Sequence, residues 1–336
     1  MTVDTQEQAN SIRKARSLAS QVVRHESFVL SVVLIGLTSV MSVLTQGATT
    51  SRVNLLNVLV QSSVRGFASI GQAFVVITAG IDVSVGGVGL FSSILGTSLL
   101  TSIVDRNLVG GPIPLMVGVT IMLVSALGWG MFNGVMVSRA YIPPLIATLG
   151  IWQITRGAAF NLVKGVTIHK LPDGLAFFGQ GEIGDIPVPI ILFIVIAVIA
   201  YLVLNHTRFG RNIYAVGGNP ASAWLSGINV HHVLFAAYAI SGLLAGVASV
   251  VWAGRIMSSS MDSLTGLEID SISAVFVGGI SVSGGKGNLI GVVIGVIIIG
   301  IINNGMSLLG ANTAVQGISK GLIIIIAVVI DYLRRR

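Results

Sequence analysis

Between Leu289 and Ile302 the chain reads LIGVVIGVIIIGII, without one charged or hydrogen-bonding side chain. Runs of this kind recur along its length, and nothing else constrains the fold as strongly. A stretch of about 20 mostly apolar residues crosses a bilayer as a helix. Such stretches lie near 28–46, 57–80, 84–103, 114–137, 143–160, 187–204, 232–253, 267–282, 288–306 and 318–333. The remainder cannot clothe a water-facing surface: 9% of the 336 residues are charged, against about 25% in soluble domains. The pattern predicts an all-α integral membrane protein of about ten transmembrane helices. The 42 glycines suit close helix packing in lipid. With no cysteine, disulfides and thiolate metal sites are excluded.

The expected organisation is one transmembrane domain, 28–333, between a cytoplasmic N-terminal segment, 1–27, and a short tail, 334–336. The first segment is polar and carries Arg13, Lys14, Arg16 and Arg24. The apolar run behind it, Phe28 to Leu44, has no small-residue cleavage site, so it reads as a retained helix. Arg65 interrupts the second run and Asp82 separates it from the third, which admits a broken or re-entrant helix there. Lysine and arginine in short loops set orientation. Ten spans with the N-terminus inside put Arg139, Arg208, Arg211, Lys286 and Arg334–Arg336 in the cytoplasm, with both termini. Asp105, Asp173, Glu182, Asp185 and Asp262 then face outward, together with Arg52, Arg106, Lys164, Lys170 and Arg255. The outer segment 161–186 is long enough for a small cap.

The stretch VGGISVSGGKGN, 277–288, invites comparison with a phosphate-binding loop. That motif needs a glycine, four residues, then Gly-Lys-Ser/Thr. Ile280 stands where the first glycine belongs and Gly287 where the hydroxyl belongs. The stretch reads as a tight polar turn between membrane helices.

The inner segment 205–231 is the largest expected cytoplasmic element. Gly217-Gly218-Asn219-Pro220 is a turn signal, with Asn219 suited to cap a helix and Pro220 to open it. Ala221 to Leu225 then forms a short helix ended by Gly227. Trp224 and Leu225, exposed on a water-facing helix, suit a groove on a partner better than a plain connector.

Asp82 is the strongest intramembrane acid by sequence, and no counterpart is evident in the second half. It either serves transport or caps the next helix through the N–H groups near Ser84 and Val85. Asn133, Thr148, Gln153, Arg156, Asn303 and Asn304 can line a pathway or bridge packed helices; Arg156 can also snorkel. The adjacent pair His231-His232 lacks metal-ligand spacing, and no metal site is expected. No nucleophile, base and orienting acid assemble at one depth, so no enzyme site is expected.

Five stretches in order, TAGIDVSVGG (78–87), FNGVMVSRAYIPPLIATLGIWQITRG (132–157), AVGGNPASAWLSGINV (215–230), GLEIDSISAVFVGGISVSGGKGNLIGVVIGV (266–296) and INNGMSLLG (302–310), resemble the permease subunit of ribose-type ABC sugar importers. These are inner-membrane components of binding-protein-dependent transport. The resemblance covers nearly all of the chain beyond the first span. It implies a type II importer fold, a second permease copy or paralogue, a cytoplasmic ATPase that uses ATP and magnesium, and a periplasmic or lipid-anchored sugar-binding protein. It implies a multi-pass protein of the bacterial inner membrane that carries a ribose-like pentose or a hexose. Gly217, Gly218, Asn219, Ala221, Leu225, Ser226 and Gly227 match the family's ATPase-coupling loop, where Trp224 is less usual. Few tight contacts are expected along the path, because a strongly binding pathway would not release. The competing class is an ion-coupled secondary transporter, which needs intramembrane acids or a broken-helix ion site repeated in both halves.

Overall fold

The computed structural model describes residues 26–105, 111–169 and 171–333. Most of the expected N-terminal segment and the Arg334–Arg336 tail lie outside the described residues. Helices dominate: α1 (Glu26–Leu44), α2 (Arg52–Ile77), α3 (Val85–Asp105), α4 (Ile113–Ser138), α5 (Pro144–Val163), α6 (Asp173–Gln180), α7 (Val188–His206), α8 (Arg208–Gly218), α9 (Pro220–Leu225), α10 (Val230–Ile256), α11 (Leu267–Val277), α12 (Leu289–Leu308) and α13 (Thr313–Leu333). A two-stranded hairpin, β1 (Glu182–Ile183) with β2 (Ile186–Pro187), lies between α6 and α7.

Local chemistry sets many of the boundaries. Ser51, Asn229 and Asn288 accept backbone N–H bonds that open α2, α10 and α12. Pro144 and Pro220 stand at the first helical position, where a missing N–H costs nothing. Among the described residues five helices, α3, α4, α7, α10 and α12, are long and apolar enough to cross a membrane. The protein is a helical membrane protein.

The expected span 267–282 is corrected. α11 stops at Val277 after 11 residues, about 16 Å at 1.5 Å per residue. Gly278 and Gly279 end it, and the chain continues without a helix to Asn288. The expected discontinuity around 57–103 is confined to residues 78–84, and α2 runs unbroken through Arg65.

α2 and α11 end the same way. Ala79 N–H bonds Val76 C=O at 2.9 Å and Gly80 N–H bonds Val75 C=O at 3.0 Å. In α11 the equivalent bonds run from Gly279 to Phe276 at 3.0 Å and from Ile280 to Val275 at 3.2 Å. Ala79 and Gly279 both take positive φ, 64° and 85°. This is the Schellman termination, which satisfies the last carbonyls.

α10 lies at the centre, packed on α2, α3 and α4. Where α10 crosses α4, Gly242 and Gly130 meet so closely that a Cβ on either would strike the other backbone. The inner half of α2, Phe67 to Ile77, is buried throughout. α1 rests on α12, and α13 on α11. Connections gather into two sets. One contains the Ile168–Ser259 bridge, the bond from Gln180 to Arg255 C=O at 2.9 Å, and the Asn54–Asn304 pair. The other contains Ile77 with Gly285, Tyr214 with Gly287, and Val282 with Asp331. The segment 161–186 supplies α6 and the hairpin to the first set, with Gly179 tight against the Gly254–Arg255 backbone.

Candidate functional site

The second set of connections carries the segment that the sequence singles out. Thr207 caps α8, its hydroxyl accepting Gly210 N–H at 3.1 Å. α8 is amphipathic and buries Gly210, Ile213, Val216 and Gly217. At Gly217 the backbone lies against Ile77 C=O and Gly285 N–H, where a Cβ would overlap both. Gly218 faces open space. Asn219 then caps α9, accepting Ser222 N–H at 2.9 Å. Gly227, at φ 81°, closes the helix, and Ile228 N–H bonds Ala223 C=O at 3.0 Å. Only Ala223 of α9 is buried. Ala221 and Ser226 are exposed, Trp224 is 67% exposed and Leu225 78%. A helix of six residues, closed at both ends, thus holds two large apolar side chains in solvent.

The glycine-rich turn 278–288 supports this segment. Gly285 N–H donates to Ile77 C=O at 2.8 Å. Gly284, at φ 75°, packs on the Ala79 backbone so closely that a side chain would collide. Tyr214 of α8 donates its hydroxyl to Gly287 C=O at 3.0 Å. The ends of α2, α8 and α11 are therefore joined at one junction beneath α9.

Beside this junction lies a buried polar knot. One Asp82 oxygen accepts Ser84 N–H at 2.9 Å and Ser84 O–H at 2.6 Å; the other accepts Ser241 O–H, from α10, at 2.7 Å. Asn133 of α4 donates to Ser84 Oγ at 2.8 Å, and Thr148 of α5 accepts Val83 N–H at 3.1 Å. The Gln72 carboxamide, in the orientation that satisfies both partners, pairs with the Asp82 peptide. Three of the polar residues chosen from the sequence, Asp82, Asn133 and Thr148, thus converge on the 78–84 break. Their bonds join α2, α3, α4, α5 and α10.

Arg156, Asn303 and Asn304 lie elsewhere. The Arg156 guanidinium sits 5.2 Å over the Trp152 ring. Asn304 and Asn54 exchange two amide bonds of 2.9 and 2.8 Å, tying α12 to α2. Asn303 reaches Asp270 at 3.4 Å.

Asp270 corrects the expectation that Asp82 has no acidic counterpart in the second half. It lies on α11, 7% exposed, and bridges two cations. Arg65 Nε of α2 approaches one oxygen at 2.8 Å and Lys320 Nζ of α13 the other at 2.7 Å. Glu268, two residues earlier in the same first turn, is buried against Gly86, whose missing side chain leaves room for the carboxylate. The signal was present as LEID opening an apolar run. What the sequence lacks is the partner, since Arg65 is 205 residues away.

A buried polar framework and an exposed apolar helix thus sit together on a bundle of apolar helices. The family profile "Branched-chain amino acid transport system / permease component" matches residues 54–328. The chain belongs to this family. It is 36% identical over 282 residues to the ribose import permease protein of Escherichia coli strain K12, covering 83% of this chain and 85% of that protein. The corresponding protein of Bacillus subtilis strain 168 is 37% identical over 280 residues, with 83% and 84% covered. The galactose/methyl galactoside import permease protein of E. coli K12 is 37% identical over 294 residues, with 84% and 88% covered. No solved structure matches the chain.

Proposed function

We propose that this chain is the membrane-spanning subunit of an ATP-driven importer for a monosaccharide, a ribose-like pentose or a hexose. The observation that carries the reading is α9, which holds Trp224 and Leu225 in solvent on a helix capped at both ends. Such a helix needs a groove to cover it, and a cytoplasmic ATPase subunit supplies one. The solute class rests on the ribose and galactose named for the relatives. ATP and magnesium are used by the ATPase, so this chain is not itself an enzyme. An external binding protein delivers the sugar, and a second permease copy or paralogue completes the pathway.

Ten crossings fit the grouping of connections, with α1, α2, α3, α4, α5, α7, α10, α11, α12 and α13 as crossings and α11 only a partial one. Both termini are then cytoplasmic. Force from the ATPase enters at α9 and passes through Gly217 to Ile77 and Gly285, at the ends of α2 and α11. Rigid helices joined at one point move together, which is the shear and hinge motion an alternating-access cycle needs. Asp82, Asn133 and Thr148 hold the break rigid; they do not bind solute. The paired state of Asp270 favours this reading over ion coupling, because its carboxylate is already neutralised by two fixed cations.

Leu225→Asp tests the proposal in cells that express all subunits. Membrane insertion should persist, while ATPase co-purification and uptake of labelled ribose or galactose are lost. Unchanged uptake would refute the coupling role.

A further inference from the structure

α1 packs on α12 and α13 packs on α11, and a cleft of about 550 Å³ opens between these two outer helices. That volume lies within the range of about 300–1,000 Å³ usual for small-molecule sites. Its walls are apolar: Leu30 and Val33 of α1, Ile298 of α12, and Ile323 and Ala327 of α13. Only its inner end is polar, where Ser281 and Lys286 of the glycine-rich turn and Asp331 of α13 line it. Asp331 pins α13 to the same turn, accepting Val282 N–H at 3.3 Å and Ser281 O–H at 3.4 Å. Lys286 forms no ion pair among the described residues.

We infer that this cleft binds one phospholipid of the cytoplasmic leaflet, with an acyl chain between α1 and α13 and the phosphate at Lys286. Charge and depth select the occupant. A sugar needs polar groups placed around it to orient it, and this cleft offers them at one end only. A phospholipid presents hydrocarbon where the cleft is apolar and an anion to Lys286, which the ten-crossing topology proposed above puts at the cytoplasmic membrane surface. The lipid has a structural consequence. It rests on the turn whose Gly285 bonds Ile77 beside Gly217, so an occupied cleft steadies the junction beneath α9. The site is independent of which solute the importer carries.

The test uses the full-length chain, with whatever subunits co-purify, in nanodiscs of phosphatidylethanolamine and phosphatidylglycerol doped with diacylglycerol of the same chains. Lipids retained after release are counted by native mass spectrometry. The wild type should keep one phospholipid. Lys286→Ala should lower phospholipid retention about five-fold, the loss of one lysine–phosphate interaction, and leave diacylglycerol retention unchanged. Ala327→Trp, which fills the apolar part, should abolish both. Equal phospholipid retention by wild type and Lys286→Ala overturns the headgroup assignment, even if Ala327→Trp fails to fold. Higher lipid retention after removal of residues 1–25 also overturns the proposal, because the chain's own segment would then be the occupant.

Discussion

Asp270, 7% exposed, sits between Arg65 and Lys320, so its charge cannot be removed without consequence. Asp270→Asn leaves two cations in an apolar bundle. Breaking a buried pair costs about 3–5 kcal/mol, and the variant should melt well below wild type in detergent. Arg65→Gln should cost less, because Lys320 still faces the carboxylate. Equal melting of Asp270→Asn and wild type would mean that solvent reaches the network. Two adjacent glycines provide a second test. Gly217→Ala drives a methyl into Ile77 C=O and Gly285 N–H, while Gly218→Ala meets nothing within 4 Å. Overpacking costs about 1–3 kcal/mol, so the first should lower both stability and uptake and the second should leave stability unchanged. The need for a glycine at 217 is a property of its neighbours, which no reading of GGNP alone supplies.

Among the elements, α9 is too short to persist without its caps. Asn219→Ala removes the bond to Ser222 N–H and should cost about 1 kcal/mol. ATPase co-purification should weaken while insertion stays normal, and Asn219→Ser should restore it. α8 is anchored by Tyr214, whose phenol is pushed up by burial from its ordinary value near 10. The folded state therefore holds this proton more tightly than the unfolded one. The contribution is complete below about pH 10 and is lost as pH rises through the raised value. Alkaline titration of thermal stability should show this step in the wild type, and Tyr214→Phe should remove it. α9 was legible because its signals are local: a cap, a proline and a terminal glycine within nine residues. The early end of α11 was less so, because VGGISV continues an apolar run and only the packed turn shows where the helix stops.

For the molecule as a whole, the grouping of connections into two faces makes topology testable. A reporter active only outside the cytoplasm should be active when inserted at Gly184, in the hairpin loop between β1 and β2, and silent when fused after Arg336. Activity at the second position would overturn the even number of crossings. Long apolar runs fixed the class of protein and nearly every helix, since backbone groups in lipid must be bonded within their own segment. That constraint is local, and sequence alone expresses it. The same holds for the capped helix within 219–227. What only the tertiary structure decided is which polar groups meet. Asp82 gathers Ser84 and Ser241, Asp270 finds Arg65 and Lys320, and the glycine-rich turn seats itself under Gly217. Each of these depends on the approach of helices far apart in the chain. Their spacing is set by packing and not by any periodicity along the sequence.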